Sequence, residues 1–240
     1  MRRCLPLHCP AFFARALAVF VVTACAVACS AGGDSDSDFA ADDEAAQSSS
    51  NESAYTSALP QLRPVRPPTS WPKVWAQPPS TGVVEQNGYC GATAAANLFR
   101  WYGVEVSPHA AIDRGCWSYV GTMAPTLGSF VERDQPELGC HYEKLSAPSD
   151  ALAWVRSTLT EGKPIIVQFM TGELNAHWVT VVSVLGKGPD PKLIFTSWGR
   201  YYEAQWSVFA HAWRDAWGGP YPHVTCDKAS PFGRVMRVDK

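Results

Sequence analysis

The stretch Glu85-Gln86-Asn87-Gly88-Tyr89-Cys90-Gly91-Ala92-Thr93-Ala94-Ala95-Ala96-Asn97-Leu98-Phe99-Arg100-Trp101-Tyr102-Gly103 decides the fold. From Gly91 to Tyr102 it is rich in alanine, the strongest helix former, and Leu98, Phe99 and Trp101 give that helix an apolar face. Gly103 stops it. Cys90 therefore stands at a helix N-terminus, where unpaired N–H groups and the positive end of the dipole favour a thiolate. Its own N–H faces the place where an oxyanion would develop, and a Gln or Asn just upstream would supply a second donor.

Downstream, Ser107-Pro108 reads as an N-cap and first-turn proline for a short helix to about Arg114. Ser149 caps a helix over Asp150–Thr160, which Gly162 ends. The pattern then changes to strands rich in Val, Ile and Phe at Pro164–Met170, His177–Leu185 and Lys192–Trp198, with turn chemistry at Gly186–Pro191. A helix over Ser207–Ala216 and a closing strand over Gly233–Val238 follow. One helix first and an antiparallel sheet later make an α+β domain over residues 82–240, long enough for a proper core. His177, at the start of its strand, is placed where a rigid imidazole would serve a thiol nucleophile. Taken singly, Cys90 also reads as a small core residue and His177 as a satisfied polar residue at a strand end.

Together these segments resemble a family. Gln86 to Gly103, with its cysteine-glycine opening and aromatic-Tyr-Gly ending, looks like the nucleophile helix of papain-like cysteine peptidases. It is closest to their bacteriocin-leader-processing (double-glycine) branch. His177-Trp-Val-Thr-Val-Val resembles that fold's histidine strand, and Ile194-Phe-Thr196-Ser197-Trp198-Gly199 resembles the strand carrying Asn-Ser-Trp-Gly. The resemblance implies a nucleophile helix packed on an antiparallel β-sheet, with Cys90 as nucleophile, His177 as base, Gln86 on the oxyanion and Thr196 orienting His177. Two positions depart from the pattern. Thr196 stands where the family places Asn or Asp, and a hydroxyl brings no charge to stabilise an imidazolium. Gln86 is four residues ahead of the cysteine, where the family's glutamine is about six ahead. Ser197 and Asp190 are the fallback orienters, Asp190 lying in a turn. The reading is a thiol hydrolase of peptide or isopeptide bonds. Its alternatives are a papain-like module that binds peptide or glycan without turnover, and a Cys-dependent acyltransferase.

The rest of the chain concerns location. Arg2, Arg3 and Arg15 flank or punctuate an apolar stretch from Ala16 to Ala24, so residues 1–28 read as an export signal. Val22-Thr23-Ala24-Cys25 resembles a bacterial lipobox and Ala26-Val27-Ala28-Cys29 is a second candidate, which makes Cys25 or Cys29 the expected lipidation site. Residues 29–58 are Ser, Ala, Gly and acidic, with seven carboxylates and no basic residue, and read as a solvated tether. Residues 59–81 carry seven prolines, from Pro60 to Pro79, and lean to polyproline II. Trp71 and Trp75 there either strap the segment onto the domain or leave it a sticky linker. The expected place is the bacterial envelope, at the outer membrane or cell surface, with a membrane contact only through the lipid. A monomer is expected.

Composition narrows the partners. A chain 46% hydrophobic and 18% charged has enough apolar residues to fold, and a net charge of −2 gives no basic footprint for nucleic acid. Neither Cys-x-x-Cys nor metal-ligand histidine spacing occurs, so no metal or cofactor is expected. Cys116, Cys140 and Cys226 would form one disulfide in an oxidising compartment, with Cys116–Cys140 favoured and connectivity open. Trp206, Trp213 and Trp217 suit one helix face, as core packing or as an aromatic ligand platform.

Overall fold

A computed structural model describes residues 62–78, 88–118, 121–145, 148–170, 176–214, 216 and 221–233. Cys25, Cys29, Gln86, Trp217, the acidic tether and the closing strand beyond Gly233 lie outside these residues. In chain order the elements are β1 (Arg63–Val65), α1 (Cys90–Trp101), α2 (Pro108–Ala111) with a π-helical turn at Ile112–Cys116, α3 (Ala124–Asp134) and β2 (Cys140–Lys144). Then come α4 (Ala151–Thr160), β3 (Ile165–Met170), β4 (Ala176–Leu185), β5 (Lys192–Ser197), β6 (Arg200–Gln205), α5 (Trp206–Arg214) and β7 (Pro222–Cys226).

The seven strands form one antiparallel sheet in the order β1-β6-β5-β4-β3-β7-β2. Period-two alternation splits its apolar residues between two cores. Ile166, Trp178 and Val224 pack with α1, α2 and α3 through Leu98, Phe99, Ala111, Leu127 and Phe130. Ile165, Val167, Val179, Val181 and Phe195 turn the other way and pack with α4 and α5 through Val155, Leu159, Phe209 and Trp213. The expected α+β class and helix-on-sheet arrangement are thus what the chain forms. Trp213 is fully buried and Trp206 packs against it, so these two tryptophans are core rather than a ligand platform.

Helix α1 is held on nearly all sides, with every residue buried except Arg100. Thr180 on β4 donates its hydroxyl hydrogen to the Ala94 carbonyl at 2.8 Å, a polar staple between helix and sheet inside the core. Such a buried bond fixes register as well as contributing about 1 kcal/mol.

Two expectations are corrected here. The disulfide is Cys140–Cys226, and Cys116 is a reduced, buried thiol. The reason is strand pairing: Cys140 and Cys226 stand directly opposite in the β2–β7 ladder. Neither strand was among those expected from the sequence. The domain also begins earlier than residue 82. β1 pairs with β6 through Arg63↔Glu203 to Val65↔Tyr201, and Trp71 packs on Trp101 and Tyr201 with ring centroids 5.4 and 5.1 Å apart. Of the two readings of Trp71 and Trp75, the strap is the one the chain takes.

Candidate active site

Cys90 is the first residue of α1, following the turn at Gly88-Tyr89. The approach to it is tight. A Cβ on Gly91 would run into the side chain of Thr122, and one on Gly88 would meet the Trp117 indole nitrogen. The Thr122 hydroxyl bridges two carbonyls, Gly88 at 3.2 Å and Cys116 at 2.9 Å, and so ties the turn before Cys90 to the loop ahead of α3. Thr122 in turn accepts the Trp178 indole N–H through its own carbonyl at 2.8 Å.

The opposite wall is the beginning of β4. Pairing of β5 with β4 ends at Thr196↔Thr180. Beyond that pair the backbone N–H of Trp178 is hydrogen-bonded to the Cys90 thiol, alongside the N–H groups of Cys90 and Gly91. The thiol therefore sits beside the residue that follows His177. His177 is 3% exposed, its Nε2 lies 2.7 Å from Ser197 Oγ, and its ring is stacked on the Trp198 indole at 4.7 Å and 4°.

Thr196, expected beside His177, is on the other face of the sheet. Directly paired residues share a face, so Thr196 lies with Thr180 on the α1 side, while Ser197 lies with Val179 and His177. Thr196 Oγ1 is buried with no hydrogen-bond partner among the described residues. Asp190, the other fallback, is engaged elsewhere: its carboxylate accepts the Ser207 backbone N–H at 2.7 Å and the Ser207 hydroxyl at 3.1 Å. The structure thus brings His177 and Ser197 together, and sets the Cys90 thiol against the backbone of Trp178, the residue after His177.

The turn after Ser197 has an unusual residue. Trp198 and Gly199 form the two-residue link between β5 and β6, with φ of 45° and 74°. Such links need positive φ, which glycine adopts freely and which costs a tryptophan about 1–2 kcal/mol. What the strain secures is the indole laid flat on His177.

The protonation states also differ from expectation. Burial pushes the Cys90 thiol up to about 11, outweighing the three backbone N–H groups that favour the thiolate. Burial pushes His177 down to about 3. At neutral pH the site therefore rests as thiol and imidazole rather than as an ion pair, because desolvation outweighs the helix terminus. This has a consequence for stability. His177 is neutral in the folded chain far below the pH at which it would protonate when unfolded, and burial lowers His223 in the same sense against raising effects from the Tyr221 carbonyl and Glu143. Stability is complete above the unfolded value of about 6.5 and falls as acid protonates the unfolded chain, by up to about 1.4 kcal/mol per pH unit for His177, with His223 adding in the same direction. Urea unfolding from pH 7 to 4 should show this slope, and His223→Phe should reduce it.

Among solved structures, one likeness is to the peptidase domain of Streptococcus ComA, a bi-functional ABC transporter involved in a quorum-sensing pathway. It has a TM-score of 0.44 and 16% identity over 66% of this chain and all of that domain. No family model matches the chain, and no curated protein matches it.

The sequence missed Ser197 as the partner of His177 and Thr122 as the brace of the nucleophile turn. The first was visible only as a fallback, because adjacent strand positions differ by a face that pairing alone assigns. Exchanging the two hydroxyls should separate them. Ser197→Ala is expected to lower turnover about 10- to 100-fold by freeing the imidazole, whereas Thr196→Val, which keeps the shape and removes an unpaired hydroxyl, should leave it within about twofold. Steady-state rates of the two variants decide it.

Proposed function

We propose that the chain is an exported thiol hydrolase that cleaves peptide or isopeptide bonds through Cys90 and His177. The observation that carries this reading is a helix-terminal thiol set against the backbone of Trp178, next in the chain to an imidazole held by Ser197 and the Trp198 face. Nucleophile, base and orienting group in series are what acyl transfer through a weakly acidic thiol requires. Because both groups rest neutral, the proton moves during attack. His177 Nδ1 takes it from Cys90 as the sulfur bonds to the carbonyl carbon, while Nε2 stays on Ser197. The Ser197 oxygen and the Trp198 indole face support the resulting imidazolium.

The backbone N–H of Cys90 then faces the tetrahedral oxyanion, with Gln86 as the proposed second donor. Collapse expels the amine, which receives its proton from His177, and leaves a thioester on Cys90. Water, deprotonated by the same imidazole, releases the acid and restores the thiol. An amine in place of water would give acyl transfer from the same intermediate.

The chain is proposed to act at the bacterial envelope, anchored by lipid at Cys25 or Cys29 with the acidic segment as spacer; the N-terminal sequence supports this. The test is incubation with a peptide mixture and mass-spectrometric mapping of new termini, beside Cys90→Ser. Products that need Cys90 support hydrolysis. Products joined to an added amine would assign acyl transfer, and peptide binding without any product would assign the non-catalytic module.

A further inference from the structure

The segment from Trp71 to Ala76 lies between the helix that carries Cys90 and the hairpin that carries Ser197 and Trp198. On one side it is tied to α1. The Asn97 side chain, 3% exposed, accepts the Trp75 backbone N–H at 2.7 Å and reaches back to the Trp75 carbonyl at 3.4 Å, as a neighbouring strand would. One turn on, the Arg100 guanidinium covers the Trp75 ring at 4.0 Å and donates to the Lys73 carbonyl at 3.0 Å. On its other side the segment is tied to the β5–β6 hairpin. The Tyr201 hydroxyl donates to the Pro72 carbonyl at 2.7 Å, and a Cβ on Gly199 would stand 3.3 Å from that of Ala76.

Gly199 is the second residue of the strained turn whose first residue is Trp198. A tryptophan at positive φ persists only when its surroundings over-determine it. Here the surroundings include a segment clamped to the nucleophile helix. We propose that residues 71–76 are a positioning brace for the Cys90–His177 pair, and that Asn97 and Tyr201 are its anchoring residues. The inference rests on the catalytic reading of that pair and adds a control point about two helical turns from the thiol. The brace sets the distance between α1 and the turn, the turn sets the indole, and the indole and Ser197 set the imidazole. Neither Asn97 nor Tyr201 touches the reacting atoms.

The experiment is alkylation by limiting iodoacetamide from pH 5 to 9, followed by mass spectrometry at Cys90 and Cys116. It compares the full chain with Asn97→Ala, Tyr201→Phe and His177→Ala at a temperature where all remain folded. Cys116 is also a buried, reduced thiol but lies outside the proposed pair, so it reports general loosening. The brace predicts that both anchor variants lose about tenfold of the His177-dependent rate at Cys90 near pH 7, since small misplacements of a reacting pair cost factors of this size. Cys116 should stay unlabelled. Anchor variants that alkylate like the wild type, or that merely expose Cys90 and Cys116 together, overturn the brace while leaving the pair intact. Should His177→Ala match the wild type, the pair fails and the brace with it.

Discussion

Cys90→Ser should abolish peptide hydrolysis, with kcat falling by about 10⁴-fold or more while the urea midpoint moves little. Serine nearly matches cysteine in shape, but its hydroxyl is far less acidic than a thiol. His177→Ala should cost about 10²- to 10⁴-fold, the usual worth of a positioned general base. The two losses are not additive, because nucleophile and base act as a unit: the double variant should be no slower than the worse single one. Measured rates that multiply would mean that the residues act independently and that the geometry around Trp178 and Ser197 has been misread.

The second large effect concerns stability. Removing the Cys140–Cys226 disulfide should cost about 4.5 kcal/mol, the loop-closure value for a sequence separation of 86 residues. Against a total of about 5–15 kcal/mol for a domain, that is a large share. The bond joins β2 at the sheet edge to β7, beneath the core that holds α1 and α3. The site should therefore loosen before the α4–α5 face does. Urea midpoints with and without dithiothreitol, beside Cys140→Ala/Cys226→Ala, measure the effect. Cys116→Ala should leave the dithiothreitol dependence unchanged. If Cys116→Ala removed it, the Cys116–Cys140 pairing would be restored.

Helix α1 was legible because alanine propensity, an apolar face and Gly103 all agree, and the helix begins at Cys90, within one residue of the expected start. Strands β3, β4 and β5 were legible from their runs of Val and Ile. β6 was not, because Tyr201, Tyr202 and Ala204 are all buried and the tyrosines serve different cores, so no clean alternation marks it. β2 and β7 hide their pairing in short polar sequences, Cys-His-Tyr-Glu-Lys and Pro-His-Val-Thr-Cys, and with it the disulfide. α3, opened by Ala124-Pro125 without a polar N-cap, also passed unread.

At the site, residue types near Cys90 and His177 were readable, whereas facing was not. Thr196 and Ser197 are chemically close and adjacent, and only the Thr180↔Thr196 register says which one turns toward the imidazole. The ionisation of the pair was misjudged for a related reason. The helix terminus is a local feature and can be read from sequence, but burial of both groups is tertiary and turned out to be the larger effect. The proline-rich segment carried too little periodicity to show that Asn97, Arg100 and Tyr201 would hold it.

Cys90 is proposed to form an acyl-enzyme with help from His177. Mixing the full chain with p-nitrophenyl acetate tests it most directly, reading nitrophenolate release in the first turnover and locating the acetyl group by mass spectrometry. The expected result is a burst of about one equivalent per chain, acetyl on Cys90, and loss of the burst in His177→Ala. Acetyl absent from Cys90, or a burst of equal size without His177, would contradict it.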